Sequence, residues 1–324
     1  MKTLNEITLD DSRLVLKDNL VRSSVLPRSS KEMARDIEVQ GETEVLGALY
    51  ARSLEIRGGP FTVDGSVFTQ DEIHVAPDAD QTIHFKKVVA STGTISAQST
   101  KCRCLFGADV NAKKITLRNC IVAACAFAEE IDLQDCIVLG GVFATKSLAL
   151  DNCVVGTFNS PSVLLKRDIY LLLPSAFSVE SITTLPAAKL YNLTLADLGG
   201  LMRGVGERPN TGKITLDPVV DEQKTTLTDE AGNHNILRTY SVAGKVLAAD
   251  LSQMDKLQNH FLMTAGSLGA QLLKTYNLGP GKDGNPVELT LANIAAFFFD
   301  ILAGRIQITP LSGTFSLTDF APPA

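Results

Sequence analysis

Apolar and polar residues alternate in short bursts along the first half of the chain, and one stretch does so three times in nearly the same words. From Lys114 to Pro161 it reads KITLRNCIVAACAFAE, then EIDLQDCIVLGGVFAT, then KSLALDNCVVGTFNSP. Ile115, Ile131 and Leu148 correspond, as do Leu117, Leu133 and Leu150; Cys120, Cys136 and Cys153; Val122, Val138 and Val155; and Phe127, Phe143 and Phe158. The period is about 16 residues, too short for a unit to close a core alone, so the units must stack on one another. Period-two alternation makes each burst a strand, and strands stacked in register about 4.8 Å apart pile equivalent side chains into columns. The pattern predicts a mainly β protein, a parallel β-helix or β-solenoid, with the Ile/Leu, Cys, Val and Phe series as its inward columns.

Upstream, Ile37-Glu38-Val39, Leu54-Glu55-Ile56, Ile73-His74-Val75 and Ile95-Ser96-Ala97 carry the same alternation at drifting intervals of 17, 19, 22 and 20 residues. The reading is a solenoid over residues 37–174, roughly seven coils and about 30 to 35 Å long at one strand spacing per coil. Glycines such as Gly58, Gly65, Gly93 and Gly140 are expected where corners need positive φ or where coils crowd. Residues 1–36 contain the bursts Ile7-Thr8-Leu9 and Leu14-Val15-Leu16 and a capping-box turn at Ser29–Glu32; they are expected to form an N-terminal leader that caps the first coil or docks on a neighbour.

Beyond Pro161 the period dissolves. Val163–Leu165 and Ile169–Leu173 read as a last coil or a transition strand, Ser175–Leu185 as a linker, and residues 187–324 as a smaller α+β domain. Its expected parts are a strand in Lys189–Leu195, a hairpin pairing Lys224–Thr228 with Ile236–Val242, a helix or helix pair near 251–276, an apolar helix from Leu291 to Ala303 stopped by Gly304, and closing strands at Arg305–Thr309 and Gly313–Leu317.

Composition narrows the class. With 324 residues, 45% hydrophobic and 20% charged, the chain is globular and long enough for two domains. A net charge of −6 argues against a nucleic-acid partner, and the absence of an apolar run of 18 residues argues against an integral membrane segment. The start MKTLNEITLDDSR has no hydrophobic signal, so a cytoplasmic location and reduced thiols are expected. The six cysteines (102, 104, 120, 125, 136, 153) show no CxxC spacing. Because Cys120, Cys136 and Cys153 match position for position, they read as a packed column, not as metal ligands.

The stretch IEVQGETEVLGALYARSLEIRGG resembles the repeat of the bactofilins, bacterial polymer-forming cytoskeletal proteins. Val39-Gln40-Gly41, Leu46-Gly47-Ala48 and Leu49-Tyr50-Ala51 match its alternation of apolar strand and glycine, and Asp64-Gly65-Ser66-Val67 repeats part of it. The likeness covers about 130 of the 324 residues. It implies a non-enzymatic scaffold that self-associates into oligomers or filaments without nucleotide.

Candidate chemistry is thin. His74, His84, His234 and His260 are scattered; His74 and His84 share one long coil and could face each other, although a solvated corner is the simpler expectation. Glu129-Glu130 and Asp221-Glu222 fall at apparent corners. GVGERPNTGKIT (204–215) fails as a phosphate loop, since five residues separate Gly206 from Gly212 and Ile214 stands where a Ser or Thr is needed. No catalytic, cofactor-binding or metal-binding residue is assigned, and no cofactor. The leading expectation is a self-associating scaffold whose C-terminal domain caps the solenoid or binds a protein partner. The alternatives are a rigid stalk presenting a C-terminal binding module, and a β-helix enzyme acting on carbohydrate.

Overall fold

The structure is a computed structural model that describes residues 1–4, 13–27, 35–77, 79–172, 181–186, 188, 190–192, 220–228, 234–242, 245–250 and 291–305. The chain divides into two compact units: Met1–Cys153, Phe158–Arg167 and Val179–Pro186 form the first, and Val154–Thr157, Asp168–Ser178 and Ala187–Ala324 the second.

The first unit is a parallel β-solenoid of about nine turns. Each coil contributes strands to three parallel ladders. On the first side the rungs run Arg13–Leu16, Asp36–Val39, the end of Leu49–Ile56, the end of Val67–Val75, Thr94–Ala97, Lys114–Arg118, Glu130–Gln134, Ser147–Asp151, Ser162–Leu165 and Ser181–Thr184, each paired with the next. Ile37, Leu54, Ile73, Ile95, Ile115, Ile131, Leu148 and Val163 form one inward column of this side, all nearly fully buried. On the second side Lys2–Leu4, Asn19–Val21, Thr43–Val45, Phe61–Val63, Thr82–Phe85, Arg103–Phe106 and Cys120–Val122 follow one another in register. The third side begins at the bridge of Val25 to Leu49 and continues through Val67, Val89, Val110, Ala126 and Val142. Each apolar residue on these columns removes its side chain from water, worth about 1.5 to 3 kcal/mol for a Val, Leu, Ile or Phe.

The ladder starts earlier and ends later than the expected 37–174. Leu14, Leu16, Val21 and Val25 fill the inward positions of a full coil inside the expected leader, because their spacing follows the same alternation. At the other end Ser181–Thr184, inside the expected linker, is a rung on Ser162–Leu165. Within the second unit Leu190–Asn192 pairs in parallel with Ile169–Leu171.

Two further expectations are corrected. Phe127, Phe143 and Phe158 are not one inward column: Phe127 and Phe143 are register partners that point outward, while Phe158 is buried. Ala126 and Val142 hold the inward place, and the adjacent small alanines (Ala126, Ala128) made the phenylalanine look like the core residue. Of the two uses expected of glycine, only crowding between coils is seen: among the described residues no solenoid glycine has positive φ. Four turns from the first side to the second carry an Asp or Asn in the left-handed region: Asp18 (φ 55°), Asn119 (55°), Asp135 (50°) and Asn152 (54°). These residue types tolerate that backbone because their side chains hydrogen-bond locally. Glycine serves close approach instead: a Cβ on Gly93 would lie 1.8 Å from the Asp71 carbonyl oxygen one coil below.

In the second unit, Val220–Thr228, His234–Val242 and Lys245–Asp250 form an antiparallel sheet, which contains the expected hairpin. The apolar helix is present as Leu291–Leu302. Ala295, Phe297, Phe298, Phe299 and Ile301 are buried, so this helix is covered on most of its circumference. It closes in a Schellman motif: Gly304 has φ +70°, its N–H donates to Ile301 O at 2.9 Å, and Arg305 N–H donates to Asp300 O at 2.9 Å. The helix expected at 251–276, residues 306–309 and 313–317 of the expected closing strands, the turn at Ser29–Glu32 and the loop 204–215 lie outside the described residues.

Candidate functional site

The terminal rung Arg13–Leu16 pairs on one side only among the described residues. Gln40 N–H donates to Leu16 O at 2.9 Å, so the backbone groups of Leu14 and Leu16 face the next rung. Because successive residues of a strand present their N–H and C=O to opposite sides, those of Arg13 and Val15 point away from the ladder. The Val15 side chain is 46% exposed. An unpaired strand edge of this kind is a template for another strand. At the far end Ser181–Thr184 likewise has a single described partner.

Charges around the first rungs are matched within the solenoid. Glu38 occupies an outward position yet is buried, because Arg13 pairs with it, Gln40 Nε2 donates to its Oε1 at 2.8 Å and Arg57 Nε lies 3.6 Å from the same oxygen. Asp36 accepts hydrogen bonds from Arg52 Nε at 2.9 Å and Ser53 Oγ at 2.6 Å, and the Arg52 bond holds its carboxyl below the usual range. Among the described residues the first rungs therefore carry no bare buried carboxylate, a group whose desolvation is costly.

The thiol column is real and longer than its sequence signal. Cys104 is the register partner of Cys120, and Cys136 and Cys153 are buried with them; all six cysteines are free thiols. Cys120 Sγ donates to Arg118 O at 3.1 Å, Cys136 Sγ to Gln134 O at 3.1 Å and Cys153 Sγ to Asp151 O at 3.4 Å. Each thiol thus ties down the carbonyl that opens a left-handed corner. Burial pushes all four thiols up, and pushes Cys102 up to about 11. A thiol so placed is a poor nucleophile and a poor ligand. Cys125 is half-exposed and accepts a hydrogen bond from Gly141 N–H at 3.3 Å.

His74 and His84 are not brought together, and neither sits at a corner. His74 lies outward on the first side between Glu55 and Ser96, and His84 outward on the second side between Thr62 and Leu105. Burial, then the Lys86 ammonium, lowers the His84 pKa. Glu129 pairs with Lys146 at 2.6 Å and Glu130 with Lys114 at 3.4 Å, so these carboxylates are bound to cations of neighbouring coils. Among the described residues no group of three or more His, Cys, Asp or Glu is placed to hold a metal ion, and no helix is long and apolar enough to cross a membrane.

Sequence reasoning missed one feature of the second side. Ile121 and Ile137 are register partners that alternate with its inward residues, yet each is fully buried. The runs Cys120-Ile121-Val122, Cys136-Ile137-Val138 and Cys153-Val154-Val155 are continuously apolar, the mark of a strand buried on both faces, whereas Thr43-Glu44-Val45 and Phe61-Thr62-Val63 alternate. Comparison of the chain with protein-family models, with curated proteins and with solved structures gives no match.

Proposed function

We propose that this protein is a structural, self-associating scaffold whose solenoid stacks end to end. The observation that carries the reading is the terminal rung Arg13–Leu16, with the N–H and C=O of Val15 directed away from the ladder and matched charges on the rungs beneath. A second copy supplying the rung Ser181–Thr184, which has one partner among the described residues, would extend the ladder head to tail, and a head-to-tail contact that does not close makes a filament. The resemblance of residues 37–67 to the bactofilin repeat supports the same reading, and a non-enzymatic, cytoplasmic role accords with it.

Val15→Pro tests it. Proline removes the edge N–H, and its fixed φ is tolerated on an edge strand whose donor faces solvent. Wild-type protein should form filaments or large oligomers without nucleotide under negative-stain electron microscopy, and Val15→Pro should leave short species. Monodisperse wild-type monomers across salt and concentration would overturn the proposal.

A further inference from the structure

The third side carries an outward row of register partners: Tyr50, Phe68, Ala90, Asn111, Phe127 and Phe143. Tyr50 and Phe68 meet at 6.1 Å between ring centroids, and Phe127 and Phe143 stack at 5.1 Å with an interplanar angle of 14°. Phe127 is 39% exposed. The ring of Phe143 lies over Gly141, where a Cβ would come within 2.3 Å of it. Read from either end, the row is two aromatics, two small residues, two aromatics.

We propose that this row is a dimerisation face on which a second copy of the chain lies antiparallel. A two-fold axis between Ala90 and Asn111, running across the row, sets Tyr50 opposite Phe143 of the other copy and Phe68 opposite Phe127, as an isologous interface requires. Charge agrees with that orientation. Exposed Lys87 flanks the row at the Ala90 coil, and Asp109 flanks it on the same side one coil on. The same axis brings Lys87 of each copy opposite Asp109 of the other, whereas a parallel arrangement does not. Five rung spacings give the row a length of about 24 Å. A face of that length and one strand wide falls in the weak, reversible class below about 1,200 Å² of total buried area, so the dimer forms at high micromolar protein.

The test uses the full chain in a Val15→Pro background, so that end-to-end stacking and this contact fail separately. Sedimentation velocity should show a concentration-dependent dimer. Phe127→Glu or Phe68→Lys alone should raise its Kd by about tenfold or more. The two together should restore it, because the antiparallel two-fold sets position 68 of one copy against position 127 of the other and so brings the introduced ammonium onto the introduced carboxylate. Far-UV circular dichroism confirms that each variant is folded, and the outward position of both side chains makes that the expected result. A monomer at all concentrations would overturn the proposal and leave the row to a different occupant. Unchanged dimerisation in Phe127→Glu, or no recovery in the double variant, would overturn it too.

Discussion

Asn152 Nδ2 donates a hydrogen bond to Asp135 Oδ1 across 2.7 Å, and both residues hold left-handed backbones one coil apart. Each does two jobs at once: it accepts a strained backbone, and it bonds to the equivalent corner above or below. Asn119 does likewise, its Nδ2 donating to Cys102 O at 3.1 Å. Asp135→Val should therefore destabilise by about 1 to 2 kcal/mol from backbone strain, plus the loss of the acceptor. Asp135→Gly relieves the strain but not the loss, and should fall between wild type and valine in thermal melts.

The buried thiols give a kinetic prediction. In native protein Cys125 should react with a thiol reagent, while Cys104, Cys120, Cys136 and Cys153 should stay silent until denaturant opens the coils and all six react. Cys136→Ser should destabilise by about 1 kcal/mol, the low end for a buried hydroxyl, because the Gln134 carbonyl is placed to accept its proton. Rapid labelling of the native column would contradict the packing described.

His84 sets a pH dependence of definite sign. Its folded-state pKa lies below the ordinary value of about 6.5, so the unfolded chain takes up the proton more readily. Its contribution to stability is then undiminished above pH of about 6.5 and falls as pH drops through that value. Chemical denaturation at pH 7.5 and about pH 5.5 should show the decline, and His84→Gln should make it shallower.

Gly93→Ala should be among the most harmful single-atom additions to the solenoid. The new methyl would sit on the Asp71 carbonyl, backbone that cannot rotate away, and overpacking of this kind costs about 1 to 3 kcal/mol. Urea midpoints for Gly93→Ala against Gly304→Ala separate the two uses of glycine, since a Cβ at Gly304 meets no atom within 4 Å and is opposed only by its positive φ.

Much of the fold was legible because a solenoid writes its register into the sequence: Ile115 over Ile131 over Leu148 is both a sequence alignment and a physical column. The hairpin and the Leu291–Leu302 helix were legible from local alternation and from Gly304. The first coil was not, because its rungs are short and a polar residue, Asn19, takes an inward place. Phe127 misled because a large apolar residue between two alanines outweighs the period-two count. The edge at Val15 was beyond reach: which side its N–H faces depends on the partner strand, and alternation of side chains does not state that.

The most direct test of stacking is the amide of Val15 itself. Hydrogen exchange on the peptide spanning Arg13–Leu16 should slow as protein concentration rises, because a second copy closes the open edge, while Asp36–Val39, already paired on both sides, stays protected throughout. Fast exchange of Arg13–Leu16 that does not change with concentration, alongside protected Asp36–Val39, would show that the edge pairs with nothing and would contradict the account.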